Sequence, residues 1–154
     1  MQRNNRKIHV IGFNSFEFED LSLKTQKLFR DIKNIAVPES FSNEIREWIS
    51  SEDNKIKNFY ISKSNINLIE WIRSLNDEVI LISRGDPLWY GIGRILTKHF
   101  SQEELIFYPA NTCIQLAFSK LKKPWQGVQA ISIHGRDSIE LTKLLKLKEK
   151  GLQY

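Results

Sequence analysis

A single cysteine, Cys113, leaves no partner for an intramolecular disulfide and no cysteine-based zinc site. Long apolar runs are missing too. None approaches the roughly 18 residues that cross a bilayer. The polar start Met1-Gln2-Arg3-Asn4-Asn5-Arg6-Lys7 has no apolar stretch behind it, so no secretory leader is expected. These absences together predict a cytoplasmic protein. Glycine is scarce, seven in 154 residues, and no G-x-G-x-x-G follows the first apolar run. Only Gly12 stands there, so neither an NAD fingerprint nor a P-loop is supported.

Catalytic patterns are equally sparse. Ser83 and Cys113 belong to no Ser-His-Asp or Cys-His arrangement, and no carboxylate pair stands out. His9, His99 and His134 lack the spacing of metal ligands, so no metal is expected. Such poverty favours a reaction whose rate comes mainly from positioning.

The formal net charge of +5 permits nucleic acid, an anionic membrane surface or a polyacidic small molecule as partner. The lysines fall into two separate groups, Lys120, Lys122 and Lys123, and Lys143, Lys146, Lys148 and Lys150. Both read as solvated helix surface near helix C-termini. Neither a nucleic-acid nor a membrane partner is expected.

What the chain does have is alternation. Strand signals at Lys7–Gly12, Asn34–Val37, Lys57–Ile61, Val79–Ile82, Leu105–Tyr108 and Gln129–Ile133 alternate with helical spacing at Leu21–Ile32, Ser40–Ile49, Asn65–Leu75, Gly91–Phe100, Thr112–Leu121 and Ser138–Lys150. Asp20 and Asp137 are the expected N-caps of the first and last helices. No hairpin signal occurs. The pattern predicts right-handed βαβ units: an α/β fold with a mostly parallel sheet and helices on both faces. Pro124 marks a linker over 122–127. It divides a first domain, 1–121, from the start of a second, 128–154.

The chain is organised around Val79–Arg94. A buried strand, Val79-Ile-Leu-Ile82, runs into Ser83-Arg84-Gly85-Asp86-Pro87, then Trp89-Tyr90 and the glycines Gly91 and Gly93. In open α/β sheets, ligands bind just outside the carboxyl ends of the strands. Gly85 lets a ligand approach the backbone, and Pro87 fixes the turn. Asp86 either accepts from a ligand ammonium or ribose hydroxyl, or caps the loop. Phe13, Phe16 and Phe18 line an apolar slot or cover the sheet edge. His134-Gly135-Arg136 is a strand terminus with a turn glycine, or part of a site.

Three segments then carry a resemblance: SRGDPLWYGIGR (Ser83–Arg94), YPANTCIQLAFSKLKKPW (Tyr108–Trp125) and ISIHGR (Ile131–Arg136). In this order and spacing they resemble the tetrapyrrole methylases, and within them the precorrin-6Y methylase branch of cobalamin biosynthesis. The resemblance implies two α/β domains with S-adenosylmethionine in the cleft between them. It implies methyl transfer to meso carbons of precorrin-6Y, an acidic tetrapyrrole. Gly85, Asp86 and Pro87 would form the cofactor loop, with Leu88 and Tyr90 close by, and Ala110, Asn111 and Thr112 a second cofactor segment. Gly12 and Phe13 in the first loop, Arg84, and His134 and Arg136 in the tail are the expected substrate contacts. The arginines would pair bidentately with carboxylates. No catalytic acid or base is assigned.

Two departures are visible. The family's first loop is usually of the form G-x-G-P-G, whereas here it is Gly12-Phe13-Asn14-Ser15-Phe16. Family members also continue for a further domain after His-Gly-Arg, whereas this sequence ends one helix later. Weak cofactor binding is therefore expected of this chain alone, with a homodimer or a separate chain supplying the missing wall. The alternatives are another methylase of the superfamily, acting earlier on the tetrapyrrole or on ribosomal RNA, and a non-catalytic domain that keeps the fold.

Overall fold

Five short β-branched runs set the architecture. The structure, a computed structural model, describes residues 6–14, 21–51, 58–128 and 130. Strands β1 (Ile8–Phe13), β2 (Asn34–Pro38), β3 (Asn58–Ser62), β4 (Val79–Arg84) and β5 (Leu105–Tyr108) form one parallel sheet in the order β3-β2-β4-β1-β5. Helices α1 (Leu23–Asp31), α2 (Ser42–Ser51), α3 (Asn65–Ser74) and α4 (Gly93–His99) connect them, and α5 (Cys113–Leu121) follows β5.

The strand order fixes where the helices lie. The connections after β1 and β2 run toward one edge of the sheet, and those after β3 and β4 run back. Right-handed crossovers therefore place α1 and α2 on one face and α3 and α4 on the other. The core divides accordingly. Ile11, Phe13, Ile80 and Ile82 pack with Phe29 and Ile45 on the first face. Ile8, Val10, Val79 and Leu81 pack with Leu68, Ile72 and Leu96 on the second. Strands covered on both sides read as continuous apolar runs rather than alternating ones, as β1 and β4 do.

Local chemistry adjusts several predicted boundaries. The cap of α1 is Ser22, whose hydroxyl accepts from the N–H of Thr25, in place of the predicted Asp20. Pro38 ends β2 instead of stopping it beforehand. Only Asn34–Ala36 pair with β4, so the N–H that proline lacks is not needed on that side. A short 3-10 turn, Glu39–Phe41, precedes α2. Helix α4 begins at Gly93 rather than Gly91, because Asp86 to Ile92 are wound into a loop. Arg6 donates to the carbonyls of Ile72 (2.7 Å) and Leu75, closing the C-terminal end of α3.

The far end of the chain is less covered. Edge strand β5 is half-buried and α5 buries none of its residues, leaving Leu116 and Leu121 exposed. Among the described residues, no helix is long and apolar enough to cross a membrane. Apart from Ala130, the predicted strand Gln129–Ile133, the helix Ser138–Lys150, Asp20, Phe16, Phe18, His134 and Arg136 lie outside the described residues.

Candidate functional site

Neighbouring strands β1 and β4 send their following helices to opposite faces of the sheet. That divergence opens a crevice outside their carboxyl ends, the place where α/β sheets bind ligands. Three backbones meet there. A Cβ on Gly12 would lie 2.7 Å from the Gly85 carbonyl oxygen and 2.8 Å from the Ala110 Cβ, so only glycine fits. The N–H of Gly85 donates to the carbonyl of Phe13 at 2.9 Å. Asn14 Nδ2 donates to the carbonyl of Asn111 at 2.7 Å. The fold thus brings the predicted Gly12, Gly85, Ala110 and Asn111 together. Phe13 is a core residue, 2% exposed, with its ring edge-on to Phe41 at 6.0 Å between centroids.

The loop after β4 is held by its own polar groups. One Asp86 carboxylate oxygen accepts from the N–H of Leu88 (2.8 Å) and of Trp89 (3.1 Å). Asp86 is therefore the cap of this turn. The Pro87 carbonyl accepts from the N–H of Gly93 at 2.8 Å. It would lie 2.6 Å from a Cβ on either Gly91 or Gly93, which is why both positions are glycine. This winding turns Leu88, Trp89 and Tyr90 outward, with Tyr90 at a φ of 51°. The Tyr90 hydroxyl donates to the carbonyl of Ala130 at 3.3 Å, tying the loop to the chain beyond α5. Gly85 has a φ of +65°, and the one atom near its Cβ position is Asn14 Oδ1 at 3.7 Å, so its outer side is open. Thr112 caps α5: its hydroxyl accepts from the Gln115 N–H, and the Gln115 side chain accepts from the Thr112 N–H.

Beside the loop, between the starts of α3 and α4, lies an open trough of about 1070 Å³. Lys63, Arg84 and Arg94 line it, and no acidic residue does among the described residues. The Arg84 guanidinium lies 5.8 Å from the Phe41 ring centroid. Lys63 pairs with Glu39 at 3.6 Å, but both are exposed and the pair is weak. Sequence reasoning selected Arg84 but not Lys63, Arg94 or Asn14 for the site. The missed signal was positional, since Asn14 directly follows β1 and Lys63 directly follows β3.

Beneath the crevice, His9 is buried in β1. Its Nδ1 is 2.9 Å from the Tyr108 hydroxyl, and its Nε2 is 3.8 Å from a Glu78 carboxylate oxygen. Burial holds the imidazole below its ordinary pKa, against the opposing pull of Glu78. Among the described residues, no cluster of three or more His, Cys, Asp or Glu side chains could hold a metal ion.

No family model matches the sequence. Individual relatives do. Over 77 residues the chain is 29% identical to a precorrin-6Y C(5,15)-methyltransferase (decarboxylating) of a Sinorhizobium species. That match covers 50% of this chain and 19% of the relative. It is 31% identical over 70 residues to the cobalt-precorrin-7 C(5)-methyltransferase of Salmonella typhimurium, covering 45% of this chain and 35% of the relative. The match to a probable cobalt-precorrin-7 C(5)-methyltransferase of Methanocaldococcus jannaschii is 27% identical and covers 93% of this chain and 68% of the relative. In structure, a putative cobalamin synthesis related protein from Corynebacterium diphtheriae superposes with a TM-score of 0.57 at 19% identity, covering 82% of this chain and 62% of that one. The chain has the tetrapyrrole methylase fold. The uroporphyrin-III-C-methyltransferase of Thermus thermophilus shares it, with a TM-score of 0.55 at 17% identity over 78% of this chain and 54% of that one. The parallel α/β sheet and the resemblance read from Ser83–Arg94 and Tyr108–Trp125 therefore hold. In this fold the Gly-Asp-Pro loop sits at the divergence of β1 and β4. The chain spans about a fifth and a third of the first two relatives.

Proposed function

We propose that residues 1–121 are the cofactor-binding domain of an S-adenosylmethionine-dependent C-methyltransferase of cobalamin biosynthesis. Its substrate is precorrin-6Y or a close acidic tetrapyrrole. On this reading residues 122–127 are a linker and 128–154 open a second domain, and the enzyme works as a cytoplasmic homodimer. One observation carries the proposal: Gly12, Gly85 and Ala110 pack so closely that the wound loop after β4 presents its backbone to an open crevice. The names of the sequence relatives support the same chemistry.

The residues present fit the cofactor. Gly85 is open on its outer side and takes a φ that side chains avoid, so a ligand can lie against its backbone. Asp86 and Pro87 fix the loop, Leu88 and Tyr90 offer exposed apolar surface, and Ala110, Asn111 and Thr112 close the other side. When bound, S-adenosylmethionine supplies an electrophilic methyl group to a nucleophilic ring carbon. The chain's contribution is to orient and to hold. Asp86 keeps the loop from rearranging, and Arg84 offers a fork of donors to substrate carboxylates. Positioning of this kind accounts for large rate gains without an acid or base.

Isothermal titration of the chain with S-adenosylhomocysteine tests the proposal. One-to-one binding is expected, weakened about tenfold by Leu88→Asp, an exposed position that the fold does not need. No heat from a folded chain would count against it.

A further inference from the structure

Ser83 is 5% exposed and lines the trough, yet its hydroxyl has no hydrogen-bond partner among the described residues. What remains of its surface faces the trough, where a hydroxyl can donate to a ligand group. The same trough is lined by Ser64 and Asn65, where α3 begins. Ser64 takes the N–H of Asn67 on its side chain and that of Leu68 on its carbonyl. The N–H groups of Asn65 and Ile66 are left at the positive end of a ten-residue helix. Lys63 stands beside them, and Arg84 and Arg94 line the rest of the trough. The nearby carboxylate is that of Glu39, exposed and 3.6 Å from Lys63 Nζ.

A hydroxyl donor, helix N–H groups and a lysine suit a carboxylate. Three cations spread along one trough suit a large polyanion better than a single small anion. The exposed rings of Trp89 and Tyr90 also line the trough and offer faces for a flat macrocycle. We propose that Ser83, Lys63 and the first turn of α3 form a subsite that receives one carboxylate arm of the substrate, with Arg84 and Arg94 taking others. The identity of that substrate rests on the methyltransferase reading above. A carboxylate also exists on the methyl donor, and the experiment separates the two sources.

The full chain is titrated with uroporphyrin, a polycarboxylate tetrapyrrole, and separately with S-adenosylhomocysteine. Ser83→Ala and Lys63→Gln are each expected to weaken uroporphyrin binding about five- to tenfold, as for loss of a charge-assisted hydrogen bond. Both should leave S-adenosylhomocysteine binding unchanged. Lys98→Gln removes the same charge outside the trough and should change neither. Unchanged uroporphyrin affinity in both trough variants overturns the subsite, as does an equal loss in Lys98→Gln. Weakened S-adenosylhomocysteine binding with intact uroporphyrin binding would reassign the carboxylate to the methyl donor and also overturn it. A chain that binds uroporphyrin through these residues but ignores S-adenosylhomocysteine keeps the subsite and loses the methyltransferase reading. The reverse result keeps that reading and loses the subsite.

Discussion

Asn14 donates from Nδ2 to the carbonyl of Asn111 at 2.7 Å, joining the segment that leaves β1 to the segment that leaves β5. Both residues are exposed, so the bond adds little to global stability. Asn14→Ala should cost about 0.5–1 kcal/mol in urea unfolding. Its effect on S-adenosylhomocysteine affinity should be larger than that loss, since Asn14 also faces the open side of Gly85.

Gly12 has no room for a methyl group. Gly12→Ala should destabilise the fold by about 1–3 kcal/mol, the range for overpacking. The contacts at 2.7 and 2.8 Å come from the Gly85 oxygen and the Ala110 Cβ. Adding Ala110→Gly removes the second and should restore part of the loss. Denaturant midpoints of the two single variants and the double variant measure this directly.

Asp86 acts on the loop as an acceptor for two N–H groups, a task that needs an oxygen rather than a charge. Asp86→Asn should therefore bind S-adenosylhomocysteine nearly as the parent does, whereas Asp86→Ala loses the turn and about 1 kcal/mol or more. Equal loss in both variants would assign the charge itself to ligand binding.

Gly85→Ala meets no atom closer than 3.7 Å but forces an L side chain to a φ of +65°. The cost is conformational, about 1–2 kcal/mol. Gly85→Asn, which tolerates that region, should cost less. Thermal melts of the pair check the order.

His9 gives the fold a dependence on acid. Burial lowers its pKa from the ordinary 6.5, so the unfolded chain takes up a proton before the folded one does. The stability this provides is complete above about pH 6.5 and is lost as pH falls through the lowered folded value. His9→Gln cannot titrate and should show a shallower decline as pH falls below about 6.5. Unfolding free energies at several pH values give the two slopes.

Much of this was legible in the residues. The apolar runs of β1 and β4 and the Gly-Asp-Pro stop located the crevice, because strand ends and glycine turns are written locally. Asp86 appeared as a turn former or a ligand acceptor, and its bonds to Leu88 and Trp89 show the turn. Phe13 reads from the sequence as a substrate contact, but β1 continues through it and buries it against Phe41. The charge set of the trough was not legible. Lys63, Arg84 and Arg94 come from β3, β4 and α4, and only the strand order brings them to one place. Ser22 rather than Asp20 is the cap because α1 starts at Leu23, two residues later than the apolar spacing suggests.

The insertion of β4 between β2 and β1 has a consequence for how the chain acquires its shape. Strands β2 and β3 pair directly, Asn34 to Asn58, and can zip early. Strand β1 has no such neighbour: Ile8 meets only Val79 and Leu105. During synthesis β1 emerges before β4 and β5, so its apolar residues wait for both partners. Non-local parallel pairing of this kind is intrinsically slow, so arrival of β4 sets the pace of folding. Until then the apolar residues of Ile8–Phe13 lack the strands that cover them in the folded sheet.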